Sequence, residues 1–227
     1  MHHPIPPTHF PFSKPSAKVS PPYPPQLGTP TILINNAALP ITCTAHLASL
    51  SAAHYTPTLT TNLHAAFHTT TTFLPGLLRS PTGGTIVTIA SVLGKLGAAN
   101  LSAYTASKAG LITLHHSLTA ELRAPDAAEG SANVRTLLVT PGQLATGLFA
   151  DVKVPWYAHF LGPVVEPVEL AREIVRRVDV GEGGEVSLPV YAGGIEWVFV
   201  LPAAVQRGVR WVAGIDAAVR VEGKKER

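Results

Sequence analysis

Two side chains that can exchange protons, Tyr104 and Lys108, lie four positions apart in the sequence. On a helix this spacing puts both side chains on one face, one turn apart. A phenol has a pKa of about 10 in water, which is too high for ready proton exchange at neutral pH. A neighbouring ammonium favours the phenolate and lowers that pKa. The pair therefore predicts an acid–base device, although tyrosine and lysine recur at this spacing by chance on many helices.

Polar and turn-forming residues follow three apolar runs that we predict to be strands. Ser91 ends one of these runs, thirteen positions before Tyr104. Open α/β sheets bind ligands at the carboxyl ends of their strands. A hydroxyl at that position can donate to a substrate carbonyl while tyrosine supplies the proton. The ends of the other two predicted strands, and the predicted helix that follows the first of them, contain further candidates: Asn35, Asn36, Ala37, Asn62, Pro141, Gly142 and Thr146.

The elements that must position these residues alternate between strand and helix. Short apolar runs rich in β-branched residues predict buried parallel strands, and longer segments predict helices. The glycine-rich run 181–184 is predicted to be a surface turn. The predicted strands are 31–35, 84–90, 134–140 and a fourth over 186–190, and the predicted helices are 57–79, 102–123 and 167–178. This alternation predicts an α/β fold with a parallel sheet.

The segment from residue 31 to residue 149 resembles the short-chain dehydrogenase/reductase family. The matching segments, in family order and at spacings near the family's, are Ile34-Asn35-Asn36-Ala37, Asn62, Ile89-Ala90-Ser91, Tyr104-x-x-x-Lys108 and Pro141-Gly142-x-x-x-Thr146. The remainder is similar, less closely, to the group of retinol dehydrogenases and 17β-hydroxysteroid dehydrogenases. Each of these residues alone would suit an ordinary structural role, and the signal lies in their joint occurrence.

The resemblance implies a role for each matching residue. Tyr104 would be the general acid or base, Lys108 would lower the pKa of that tyrosine and bind the nicotinamide ribose, and Ser91 would polarise the substrate carbonyl. Asn62 would hold a water in a proton relay. The implied cofactor-binding residues are Asn36, Ala37, Tyr104, Lys108, Pro141, Leu144 and Thr146.

The resemblance also implies an activity. It is hydride transfer between NAD(P)(H) and an alcohol or carbonyl compound, which we expect to be lipid-like, steroid-like or retinoid-like. Either NADP or NAD is the implied cofactor, with NADP slightly favoured. A homodimer through the helix 102–123 is a further expectation.

The sequence departs from the family where the dinucleotide would bind. It contains no Gly-x-x-x-Gly-x-Gly turn, and no carboxylate precedes Glu121. Residues 1–30 are rich in proline, which cannot supply ladder or helix hydrogen bonds, so we predict a disordered tail. The fold expected for 31–227 is therefore an NAD(P)-binding Rossmann-like sheet that is N-terminally truncated, without its first βαβ units. The strand 31–35 would then be an exposed apolar edge.

Composition excludes other classes of protein. The single cysteine, Cys43, rules out an intrachain disulfide. The net charge is +3, but the basic residues are scattered or lie in the last quarter, and no basic patch is interleaved with aromatic residues. Nucleic acid is therefore not an expected partner. His115 and His116 are interpreted as packing or surface residues, and no metal site is predicted.

An apolar segment near 195–205 admits several interpretations. It is too short for a membrane span, but it could form part of the substrate pocket or core, contribute to a dimer contact, or lie at a membrane surface. Three functions accordingly stay open: an active oxidoreductase, a non-catalytic remnant or partner module, and a membrane-surface protein. We expect an intracellular location, either cytoplasmic or peripheral on a membrane such as the endoplasmic reticulum or a lipid droplet.

The missing glycine-rich turn predicts weak cofactor binding by the isolated chain. Glycine lets the backbone approach the pyrophosphate at a helix N-terminus, and no other segment offers that approach. We expect calorimetry to detect no binding of NADPH or NADH with the affinity usual for a dinucleotide enzyme. Binding at micromolar strength by the purified chain would contradict this expectation.

Overall fold

The sheet of the computed structural model, which describes residues 28–41, 44–146 and 163–212, consists of four parallel strands in sequence order. These strands are β1 (Ile32–Asn35), β2 (Gly84–Ile89), β3 (Val134–Val139) and β4 (Gly184–Val186). In the register Asn35 pairs with Thr88, and Ile89 pairs with Val139. The predicted α/β fold with a parallel sheet is therefore confirmed. The predicted tail falls almost wholly outside the described residues.

The helices follow the predicted order. Their bounds are α1 (Ala52–Leu59), α2 (Ala65–Arg79), α3 (Val92–Lys95), α4 (Ser102–Arg123), α5 (Pro167–Val180) and α6 (Ala203–Val212). A π-helical segment, Thr60–His64, joins α1 to α2, so the helical stretch begins at Ala52 rather than at residue 57. The hydroxyls of Thr69, Thr71 and Thr72 in α2 donate to carbonyls one turn back, as Thr72 does to His68 at 2.6 Å.

Both faces of the central strands are buried, which explains why β2 and β3 read as continuous apolar runs. On one face Ile86 and Leu138 pack against α2 and α4. On the other face Val87, Leu137 and Val139 pack against Leu170 of α5 and Val186 of β4, among others. Helices on both faces leave the carboxyl edge of the sheet as the open side at which polar residues can meet.

Within the described residues β1 is an edge strand. Ile32 and Ile34 are about half exposed, at 47% and 51%. The exposed apolar edge expected for residues 31–35 is thus present in the structure. A cavity of about 110 Å³ adjoins this strand, lined in part by Asn36, Ala37 and Asn62.

The C-terminal part differs from the predictions in two ways. The fourth strand was predicted over 186–190, but β4 ends at Val186 and begins at Gly184, which we had placed in a turn. Residues Val190–Val200 form a 3-10 helix. Much of the apolar segment near 195–205 is exposed, with Trp197 at 73% and Val200 at 72%, so the interpretation of this segment as core is wrong for most of its side chains. No helix in the described ranges is long and apolar enough to cross a membrane.

The turn into β2 predicts a strong effect of one substitution. Gly83 has a φ of +64°, and a Cβ there would lie 1.9 Å from the backbone oxygen of Asn133. We expect Gly83→Ala to lower the free energy of unfolding by at least about 2 kcal/mol. The matched control is Gly97→Ala, where a Cβ would meet no atom within 4 Å, and where we expect a change within about 0.5 kcal/mol. Equal denaturant midpoints for the two variants would contradict the observed turn.

Candidate active site

Ser91 lies at the carboxyl end of β2, where it caps the short helix α3. Its backbone is extended, and its side-chain oxygen accepts a hydrogen bond from the amide of Leu93 at 3.2 Å. The adjacent amide of Val92 donates to the carbonyl of Pro141, at the end of β3, at 3.0 Å. Ser91 is only 3% exposed. Two strand ends are thereby locked together around a buried hydroxyl.

Tyr104 extends from the first turn of α4 toward this serine. The phenol is hydrogen-bonded to the side chain of Ser91, and the residue is only 5% exposed. Burial raises the pKa of Tyr104 to about 12, and the bond to Ser91 offsets only part of that effect. The phenol of the ligand-free protein is therefore neutral at neutral pH and carries its proton.

Lys108 follows one turn later on the same face of α4, as its spacing predicted. Its ammonium donates to the carbonyl of Ile89 at 2.9 Å and lies 5.9 Å from the centre of the Tyr104 ring. Burial lowers the pKa of Lys108 to about 8. The largest influence on the pKa of Tyr104 is burial, which raises it, whereas the resemblance implied that Lys108 would lower it.

Asn62 connects the loop after β1 to α4. It lies in the π-helical segment and is 1% exposed. Its side-chain oxygen accepts from the amide of Leu39 at 2.9 Å, and its amide donates to the hydroxyl of Ser107 at 3.1 Å. Ser107 in turn donates to the backbone carbonyl of Tyr104 at 2.7 Å. The sequence did not single out Ser107, because a serine inside a helix carries no signal of such a long-range contact.

The predicted cofactor-binding residues other than Tyr104 and Lys108 lie at the end of β1, at the end of β3 and in the segment after β3. Asn36 and Ala37 are exposed at the end of β1, beside Asn62 in the cavity of about 110 Å³. Pro141 is buried next to the loop of Ser91. Leu144 instead packs on the cluster beneath α5 and pairs with Val165. Thr146 is exposed, and its amide donates to the carbonyl of Leu144 at 2.8 Å.

Lys95 is a second residue that the sequence analysis missed. Its side chain is only 1% exposed and forms ion pairs with Glu185 of β4 and with Glu196, the latter at 3.0 Å. Burial by itself would lower the pKa of Lys95, but the two carboxylates outweigh that effect and raise it. Lys95 thereby ties α3, which Ser91 caps, to the C-terminal segment. The one feature of the sequence that could have identified Lys95 was its position one turn after Ser91.

Asn35 has a structural role. Its side-chain oxygen accepts from the hydroxyl of Thr69 at 2.6 Å, and its amide donates to the hydroxyl of Thr70 at 3.0 Å. His115 is buried, with Nδ1 at 2.9 Å from the hydroxyl of Thr88, whereas His116 is exposed. The interpretation of the two histidines as packing and surface residues is therefore confirmed. Among the described residues no cluster of side chains could hold a metal ion.

The burial of Tyr104 predicts how its phenol titrates. We expect the protein and a Tyr104→Phe variant to show the same tyrosinate absorbance up to about pH 10. The additional tyrosinate should form only near pH 12 or on unfolding. Because the pKa of the folded state lies above that of the unfolded state, the stabilising contribution of the neutral phenol is present below pH 10 and is lost as the pH rises toward 12.

The matched control is Tyr55→Phe, which removes a half-buried tyrosine of α1. Its titration shows how the tyrosinate absorbance changes when a tyrosine other than Tyr104 is lost. Ionisation of Tyr104 near neutral pH would show that Lys108 dominates over burial.

Two known proteins are similar to part of this chain in sequence. The chain is 43% identical over 134 residues to the uncharacterized oxidoreductase TDA5 of Saccharomyces cerevisiae, covering 59% of this chain and 39% of that protein. It is 35% identical over 153 residues to retinol dehydrogenase 10 of Homo sapiens, covering 67% of this chain and 43% of that protein. The chain thus matches less than half the length of either relative.

Solved structures support the same fold. A short-chain dehydrogenase from Streptomyces avermitilis superposes with a TM-score of 0.60 at 21% identity, over 82% of this chain and 69% of that one. An alcohol dehydrogenase from the archaeon Thermococcus sibiricus gives 0.56 at 19% identity, over 71% and 63%. The family model described as short chain dehydrogenase matches residues 24–154, more than half of the chain. The protein therefore belongs to the short-chain dehydrogenase family.

Proposed function

We propose that this chain supplies the acid–base half of an NAD(P)-dependent oxidoreductase site, which interconverts an alcohol and a carbonyl compound. The observation that carries the proposal is the buried hydrogen bond between Ser91 and Tyr104 at the carboxyl edge of the sheet, with Lys108 one turn further along α4. Open parallel sheets bind substrates at this edge. A neutral buried phenol beside a hydroxyl is suited to donate to a carbonyl oxygen.

Each of the three residues has a distinct task in reduction. Ser91 orients and polarises the substrate carbonyl, and Tyr104 then donates its phenolic proton to the developing alkoxide. The phenolate left behind is unfavourable in a buried site, so the hydroxyl of Ser91 and the ammonium of Lys108 must stabilise it. In oxidation the same phenolate accepts the proton of the alcohol. The nicotinamide, when bound, supplies or accepts the hydride.

The residues present fit the nicotinamide end of such a cofactor. One N–H of the Lys108 ammonium donates to Ile89, which leaves other N–H groups to donate to a ribose hydroxyl. Asn36, Ala37 and Pro141 would contact the cofactor from the ends of β1 and β3, and Leu144 and Thr146 would contact it from the segment after β3. The pyrophosphate end fits less well, since the sequence holds no Gly-x-x-x-Gly-x-Gly turn.

Asn62 contributes to this proposal through its position in the π-helical segment. Its side chain is already bonded to Leu39 and Ser107. We therefore assign the water of the proposed proton relay to the backbone of the π-helical segment rather than to the Asn62 amide. A π-helical turn shifts the backbone hydrogen-bond pattern, and such turns are frequent at functional sites.

Substrate and cofactor are proposed from the relatives. The similarity to retinol dehydrogenase 10 favours an apolar, retinoid-like alcohol or aldehyde. The Thermococcus sibiricus neighbour was solved as a complex with 5-hydroxy-NADP, which favours NADP over NAD. We also propose an intracellular protein and a homodimer through α4, whose exposed face includes Thr113, His116 and Ser117.

A non-catalytic partner module is the alternative. It is favoured by the exposed apolar edge at β1, where Ile32 and Ile34 would gain cover from another chain. In that case the buried residues around Tyr104 would serve stability alone.

Turnover that depends on Tyr104 distinguishes the proposed oxidoreductase from the non-catalytic partner module. We expect the chain, at millimolar NADPH to offset weak cofactor binding, to reduce apolar aldehydes or ketones. Tyr104→Phe should lower this rate by at least about a hundredfold, because the proton donor is lost. Tyr55→Phe, at a tyrosine in α1 that is not placed at the site, should leave the rate unchanged. A folded chain with no Tyr104-dependent turnover over a carbonyl panel would establish the non-catalytic alternative.

A further inference from the structure

Lys95 uses all of its hydrogen-bonding capacity inside the protein. It is the last residue of α3, and its side chain is only 1% exposed. Its ammonium pairs with Glu185 and, at 3.0 Å, with Glu196, and it also donates to the carbonyl of Gly193 at 3.5 Å. An ammonium has three N–H groups and no acceptor, so three partners satisfy it. Lysine is almost never buried unless it is paired, and a lysine paired in this way has a fixed position.

The partners of Lys95 belong to the C-terminal part of the chain, and one of them is anchored to the sheet. Glu185 lies in β4, where it pairs with Leu138 of β3. Its carboxylate also accepts from the hydroxyl of Thr140 at 3.1 Å, and Thr140 is fully buried. Both the backbone and the carboxylate of Glu185 are therefore held. Lys95 thus joins α3 to the rigid frame of the sheet.

The neighbouring residue, Gly94, brings α3 against the helix that carries the proposed acid–base pair. A Cβ at Gly94 would lie 2.7 Å from the carbonyl carbon of Lys108 and 2.8 Å from its carbonyl oxygen. Such a close approach of two backbones requires a residue without a side chain. The short helix α3 is therefore held on two sides, by Gly94 against α4 and by Lys95 against β4 and the 3-10 helix Val190–Val200.

The serine that we propose to polarise the carbonyl caps this same helix. The side chain of Ser91 accepts from the amide of Leu93 at 3.2 Å, and its backbone carbonyl accepts from the amide of Gly94 at 2.9 Å. Because α3 has only four residues, it has little stability of its own. Its position depends on its contacts, so a displacement of α3 would move the hydroxyl of Ser91 relative to Tyr104.

We propose that Lys95 is a positioning residue of the candidate active site. By holding α3 against β4 and the C-terminal 3-10 helix, it fixes the hydroxyl of Ser91 relative to the phenol of Tyr104. Lys95 acts through α3 and takes no part in proton transfer. The effect on catalysis rests on the proposed oxidoreductase function, whereas the placement of α3 by Lys95 does not.

An ion pair that only stabilises the fold is the alternative. Removal of one partner of a buried pair is destabilising because it leaves the other charge uncompensated. In a Lys95→Met variant this penalty falls mainly on Glu185, since the side chain of Glu196 is 53% exposed and can be solvated. A second change, Glu185→Gln, removes the uncompensated charge but does not restore the link to α3. Stabilisation and positioning therefore predict different results for the double variant.

Amide hydrogen exchange, read by mass spectrometry, tests the placement of α3 independently of activity. Lys95→Met should accelerate exchange in peptides covering 91–97 by at least about tenfold, while peptides of β2 and α4 exchange as in the parent chain. The matched control is Arg176→Met in α5. Arg176 also pairs with two carboxylates, Glu173 at 2.9 Å and Glu182 at 3.1 Å, but it is 49% exposed. This control should leave the exchange of 91–97 unchanged.

Turnover tests the consequence for catalysis. We expect Lys95→Met to lower kcat for the reduction of apolar aldehydes or ketones by at least about tenfold, because a small misplacement of reacting groups costs a large factor in rate. The double variant Lys95→Met/Glu185→Gln should recover most of the denaturant midpoint of the parent chain but not its kcat. Arg176→Met should leave kcat unchanged. Circular dichroism checks that each variant is folded.

Two results would overturn the proposal. The first is exchange of 91–97 that is unchanged in Lys95→Met, or accelerated only as much as in β2 and α4. The second is a double variant that regains both the midpoint and the kcat of the parent, which would leave Lys95 a purely stabilising role. A folded parent chain without turnover, in which Lys95→Met still accelerates exchange only at 91–97, would contradict the proposed oxidoreductase function and support the placement of α3 by Lys95.

Discussion

The requirement that buried polar groups be hydrogen-bonded shapes the centre of this protein. Tyr104, Lys108, Ser91 and Asn62 are each at most 5% exposed, and each has a protein partner. Losing one partner of a buried polar group costs about 1–3 kcal/mol. These partners come from three elements: the loop after β1, the end of β2 and the helix α4. The three elements must therefore keep fixed positions relative to one another. The sheet and its flanking helices provide the rigid frame for this.

The same burial sets the protonation states in the ligand-free protein. Desolvation keeps the phenol of Tyr104 neutral and lowers the pKa of Lys108 toward about 8. Both shifts favour the uncharged form, as a low-dielectric site does. The neutral phenol carries the proton that an alkoxide would accept, but burial disfavours the phenolate that remains, so that phenolate depends on Ser91 and Lys108. The chemistry we propose thus follows from a balance between burial and two nearby donors.

Apolar surface is exposed at two separate places. At β1 the exposed isoleucines belong to a parallel strand of a type that is normally covered on both faces. At α6, Val205, Val209 and Val212 are exposed at 46%, 36% and 45%, while Arg210 of the same helix bonds to Gly97. The low proportion of charged residues, 14% of the chain, is consistent with both.

The sequence by itself determined the order and type of most elements and the placing of Tyr104 and Lys108 on one helix face. These depend on local periodicity and on i to i+4 geometry, which a single segment contains. Family membership also followed from the sequence, because the matching segments occur in order.

Only the tertiary structure decided the direction of the tyrosine pKa shift, the contact between Asn62 and Ser107, the burial of Lys95 between Glu185 and Glu196, and the contact of Arg210 with Gly97. Each depends on residues far apart in the chain, since desolvation and pairing are set by whatever the fold brings alongside. The shift of the fourth strand to Gly184–Val186 has the same cause: its pairing with Leu137–Val139 outweighed the local preference of the apolar residues after it.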